Sequence, residues 1–167
     1  MEYLLLAAHT LAWSVYVGGA ITMELVLRYA QKFMRPSQVA IVCRASGRSY
    51  RWWSFVALTI LMGTGIPLAL RQTGAFDPGT PFGLLLWILC GVWLMQLAVL
   101  ALLAFRVHPD MHARSRASMS EEEIHLDRLR VGEAIRQMDQ LLRLELAGTI
   151  IAVLLGSGLH QLTAGQL

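Results

Sequence analysis

Four long apolar stretches decide what this chain can fold into. Tyr3 to Leu27, Trp52 to Leu70, Phe82 to Phe105 and Leu144 to Thr163 each approach or exceed the roughly 20 apolar residues that a helix needs to cross a bilayer. Glu24 is the one charge in the first stretch, and Glu145 stands at the edge of the fourth. A backbone exposed to lipid must satisfy its own hydrogen bonds, so each stretch is expected to be a helix. Charged residues make up 15% of the chain, against about 25% in soluble domains, so lipid is the expected surroundings. The expected fold is all-α: one integral membrane domain over residues 1–167, an up-down bundle of four helices.

The connections differ in kind. Arg71 to Pro81 is short and holds Gly74, Asp77-Pro78-Gly79 and Pro81, which read as turns. Residues 28–51 are longer and basic. Pro36-Ser37 reads there as a helix start, and Val39, Ile41 and Val42 suggest a short interfacial helix. Residues 106–143 are longest. Ser120 and Glu123 form a capping-box pattern. Ile124, Leu126, Leu129, Val131, Ile135, Met138 and Leu142 then recur at mostly helical spacing, so an amphipathic helix is expected to lead into the fourth span.

Charge placement orients the bundle. Of the 14 basic residues, only Arg71 lies outside the two long connections and their flanks. Basic loops stay in the cytoplasm, so both long connections belong there, and both termini face outward. A bacterial inner membrane is the expected location. The basic residues follow topology, so they do not argue for a nucleic-acid partner. Cys43 and Cys90 fall in different compartments and imply no disulfide.

Two histidines gain meaning from this topology. At 1.5 Å per residue, His9 lies about 28 Å from Arg28, and His160 about 26 Å from Arg143. If both arginines mark the inner interface, the imidazoles share a level in the outer leaflet. Two facing imidazoles are the ligand set of a b-type haem; either could instead bond a backbone carbonyl or interfacial water. Trp13 and Tyr16 lie four and seven residues after His9, on its face, and could wall such a pocket. Gly63 and Gly156 are among the glycines that would leave room for a flat macrocycle or simply let helices approach.

Copper is the competing cofactor. Met62 and Met95 lie roughly 15 Å from Arg51 and Arg106 by the same rise, with Cys90 not far above, and soft sulfur ligands suit Cu(I). Methionine also fills apolar cores. Glu24 and Arg28 are spaced to pair on one helix face. Glu145, beside Arg143, reads as a structural edge residue. His108 and His112 in the third connection read as a solvated loop. No nucleophile elbow, phosphate loop or dinucleotide fingerprint is present.

The first helix, through His9, Tyr16, Gly18-Gly19 and Arg28, resembles the copper resistance protein D-like membrane families. The related HemJ-type protoporphyrinogen oxidases have a similar four-helix layout and a haem-binding histidine in the first helix. The resemblance implies haem binding through His9 or copper export. HemJ-type proteins carry an arginine where this chain has Glu24-Leu25, and a third-helix lysine absent between Phe82 and Phe105, so porphyrinogen oxidation ranks lower. The leading expectation is a protein with one haem b, serving electron transfer or a membrane redox complex with partner subunits or a second copy. Copper transport and a cofactor-free scaffold are the alternatives.

Overall fold

The computed structural model describes residues 2–107 and 120–164, and all regular structure there is helical. Helix α1 (Glu2–Ile21) passes through a π-helical turn, Thr22–Leu27, into the short α2 (Arg28–Gln31). Helix α3 is Pro36–Ala69, and α4 is Pro81–Leu102, which ends in a second π-turn, Leu103–Val107. Helix α5 is Glu121–Ala164. Four helical segments are long and apolar enough to cross a membrane: Tyr3–Gln31, Ile41–Ala69, Pro81–Val107 and Glu121–Leu162. Large apolar side chains such as Leu4, Leu11, Trp52, Phe105 and Leu154 face outward, as the helices of a multi-pass membrane protein require.

The caps follow from local sequence. Arg35 N–H donates to Gln38 Oε1 at 2.9 Å, and Pro36, with no N–H to satisfy, opens α3. The helix then runs unbroken for 34 residues, so the expected short interfacial helix is instead the first part of the second span. No residue between Val39 and Trp52 imposes a turn, and propagation costs less than a new nucleus. Before α4, Gly79 N–H donates to Asp77 Oδ1 at 2.9 Å and Gly83 N–H to Thr80 Oγ1 at 3.0 Å. A Cβ at Gly83 would overlap the Asp77 carbonyl, so this turn needs glycine there. Trp87 Nε1–H donates to Phe76 O at 3.1 Å and ties the loop to α4.

At the start of α5, Ser120 N–H donates to Glu123 Oε2 at 2.8 Å and Glu123 N–H to Ser120 Oγ at 3.3 Å, the expected capping box. The helix has 44 residues, about 66 Å at the α-helical rise and about twice the hydrocarbon thickness. It joins the amphipathic segment and the fourth span without a break, as the spacing suggested.

The helices meet mainly as two pairs, α1 with α3 and α4 with α5, closed by contacts between α1 and α5 and between α3 and α4. Gly19 lets the Tyr50 ring approach within 3.0 Å of where its Cβ would stand, while Gly18 faces open space. Gly148 plays the same part between α5 and α4: its Cβ would lie 2.6 Å from Met95 Cε and 2.9 Å from Gln96 Cδ. Small residues at such crossings allow close helix packing.

An ion cluster joins the first π-turn and α2 to α5. Glu24, nearly buried in the first π-turn, pairs with Arg28, and Arg28 also pairs with Asp139. Arg143 lies 3.0 Å from Asp139 and 3.8 Å from Glu24. The expected Glu24–Arg28 pair is thus half of a four-residue ring of alternating charge.

Candidate functional site

Between the four helices lies a cavity of about 430 Å³, within the size range of cofactor and small-ligand sites. His9, Trp13 and Tyr16 reach it from α1, and Leu58, Met62 and Gly65 from α3. Cys90, Trp93 and Gln96 come from α4, and Ala152, Gly156 and His160 from α5. Among the described residues, the lining contains no charged side chain apart from what the histidines can carry. An occupant is therefore apolar over most of its surface, and any charged substituent has to reach the open side.

His9 is half-buried, and a directed hydrogen bond fixes its ring. Thr64 Oγ1 donates to the Ile60 carbonyl at 2.7 Å. Its oxygen can then serve His9 Nδ1, 2.8 Å away, as an acceptor. This network assigns the proton to Nδ1 and leaves the lone pair on Nε2. Gly65 leaves room for the ring, since a Cβ there would stand 3.3 Å from His9 Cε1. Trp93 Nε1–H donates to Leu58 O at 3.1 Å, which fixes a second aromatic wall.

Of the residues singled out in the sequence, His9, His160, Trp13, Tyr16, Gly156, Met62 and Cys90 share this cavity. His160 differs from His9 in being exposed, so it stands at the rim. Gly63 faces open space away from the lining, and Met95 reaches toward Gly148 between α4 and α5. His108 and His112 lie outside the described residues. Among the described residues, no group of three His, Cys, Asp or Glu side chains is close enough to hold a metal ion.

The cavity floor is polar, which the sequence did not signal. Tyr16 and Gln96 belong both to the lining and to a buried cluster around Glu145. Glu145 is 0% exposed, so its place is the bundle interior and not the membrane edge expected from its neighbour Arg143. Helical geometry explains the difference: two residues are a turn of about 200° apart, so Arg143 and Glu145 occupy opposite faces. Tyr16 OH donates to Glu145 Oε1 at 3.1 Å. Gln96 Nε2 donates to the Glu145 carbonyl at 2.8 Å and to Thr149 Oγ1 at 3.0 Å.

The residues present suit a single imidazole ligand to a planar cofactor. His9 has its second nitrogen anchored, as ligating histidines do, and Trp13, Trp93, Gly65 and Gly156 border an apolar space. No protein-family model, curated protein or solved structure matches this chain.

Proposed function

We propose that this chain is a haem-binding membrane protein, with one b-type haem in the bundle cavity and His9 as an axial ligand. The observation that carries the reading is the His9–Thr64 pair at the wall of an uncharged cavity. Thr64 holds the imidazole in the tautomer whose Nε2 can donate to iron. Trp13 and Trp93 would border the apolar faces of such a group, and Gly156 leaves space that a side chain would fill. His160, at the rim of the same cavity, is the proposed second ligand. Bound haem would supply one-electron chemistry, as in electron transfer or a redox complex. The proposed location is a bacterial inner membrane, with the ion cluster at its cytoplasmic face and the cavity toward the outer side, in keeping with the positive-inside rule.

Copper is the second reading. His9, Met62 and Cys90 line one cavity and together offer nitrogen and soft sulfur donors. The same purification tests both. The protein in mild detergent is assayed by reduced-minus-oxidised visible spectra and by metal analysis. Haem bands lost in His9→Ala support the proposal, and bands unchanged in His160→Ala remove the second ligand. No haem in a preparation supplied with it overturns the proposal. Copper at one per chain, lost in Met62→Leu, would replace it.

A further inference from the structure

The cluster beneath the cavity has an imbalance of hydrogen-bonding groups. Glu145, Thr149, Gln96, Ser54 and Tyr16 are all at most 2% exposed. Three atoms there have no hydrogen-bond partner: Glu145 Oε2, Gln96 Oε1 and Tyr50 OH. The Gln96 amide cannot be turned to remedy this, because its nitrogen already serves the Glu145 carbonyl, which can only accept. The Tyr50 hydroxyl lies beside the Glu145 carboxyl and can turn its proton toward it, whereas Gln96 Oε1 is left with no donor.

Charge sharpens the argument. The Glu145 carboxyl meets Tyr16 from α1 and Tyr50 from α3, Gln96 from α4 and Thr149 from its own helix bond its backbone carbonyl, and Ser54 lies beside Tyr50. None is a cation. Arg143, on the same helix, is engaged with Asp139 and Glu24, and Arg28 with Glu24 and Asp139. An unpaired carboxylate in an apolar interior is costly, whereas a proton on Oε2 converts a surplus acceptor into a donor. Ionisable side chains inside membrane bundles are commonly proton or ion sites.

We propose that Glu145 is a proton-exchange site of the bundle, linked to the occupant of the cavity through Tyr16 and Gln96. The proton binds and leaves at the carboxyl oxygen, the O–H bond breaking to give carboxylate and a free proton, with nothing oxidised or reduced. The Tyr16 hydroxyl stays donated to Oε1 in both states. Because Tyr16 and Gln96 also line the cavity, a change of charge there shifts the proton equilibrium below. The linkage rests on a cofactor of variable charge occupying the cavity; the proton site does not.

Infrared spectroscopy of the full chain in lipid nanodiscs tests both parts. A protonated-carboxyl band is expected that changes with bulk pH, shifts in D2O and in Tyr16→Phe, and disappears in Glu145→Gln, with circular dichroism confirming folded variants. A band that Glu145→Gln leaves intact overturns the site. So does a Glu145 band indifferent to pH and D2O, which marks a locked structural acid. In haem-loaded protein, reduction with dithionite is expected to perturb the same band, and the perturbation is expected to vanish in Glu145→Gln. A band unmoved by reduction overturns the linkage, whereas absence of haem overturns the cofactor reading and leaves the pH and D2O results standing. Should Glu145→Gln not fold, the Tyr16→Phe shift decides: its absence overturns the site.

Discussion

His9 and Thr64 meet across the α1–α3 interface at 2.8 Å, and the direction of that bond decides which imidazole nitrogen is chemically available. Thr64 spends its proton on the Ile60 carbonyl, so His9 supplies the proton between them and keeps its Nε2 lone pair. Thr64→Val removes the acceptor and keeps the volume. Haem retention is expected to fall about 10- to 100-fold, the usual effect of losing such a partner, with Thr64→Ser restoring most of it. Haem-to-protein ratio during dilution of purified protein reads the effect. Unchanged retention in Thr64→Val would show that the pair does not position a ligand.

Gly148 and Gly91 predict opposite outcomes for the same substitution. A Cβ at Gly148 meets Met95 and Gln96, whereas one at Gly91 meets nothing within 4 Å. Gly148→Ala is expected to destabilise the α4–α5 pair by about 1–3 kcal/mol, the cost of overpacking. Gly91→Ala should stay within about 0.5 kcal/mol. Reversible unfolding in mixed detergent compares the two, and equal midpoints would refute the close crossing.

The ring of Glu24, Arg28, Asp139 and Arg143 couples the first π-turn and α2 to α5. A double-mutant cycle on Arg28→Ala and Asp139→Ala should return a coupling of about 0.5–1 kcal/mol, since both side chains are about one-third exposed. Raising the salt concentration should shrink it. A coupling near zero at low salt would mean the ring adds nothing to helix pairing.

Orientation is open to a labelling test. In a background lacking Cys43 and Cys90, Ser120→Cys precedes α5 and Thr73→Cys sits in the short loop before α4. A membrane-impermeant maleimide added to intact spheroplasts should label position 73 and spare position 120. Inverted vesicles should give the reverse. Labelling of both from one side would break the up-down topology.

Much of the fold was legible because lipid imposes a simple rule. A helix in hydrocarbon must be apolar over about 20 residues, so Tyr3 to Leu27 and Phe82 to Phe105 announce themselves. Local chemistry announced ends as well: Ser120 with Glu123, and Pro36 at the start of α3. The join at residues 39–52 was missed because a basic helix continuing into a span carries no break signal, only a change of polarity.

The site divided along the same line. Depth is additive along a helix, so counting residues led to the expectation that His9 and His160 share a level; both line the cavity, His9 half-buried and His160 at the rim. Facing is not additive over neighbours, and Glu145 was misplaced because its charge was read beside Arg143 and not on the opposite face. Thr64, Gln96 and Thr149 carry no signal of their own in an apolar run, and neither does Tyr50 in a basic one.

The sequence alone determined that this chain forms four helices long and apolar enough to cross a membrane, and where the first and third of them begin, because hydropathy and capping are local quantities. Only the tertiary structure decided that Thr64 backs His9, that Met95 turns from the cavity, and that Glu145 lies under Tyr16 with an unsatisfied oxygen. Those facts depend on how four helices are rotated against one another. Close contacts at Gly19 and Gly148 help fix that rotation, through approaches that no single helix specifies.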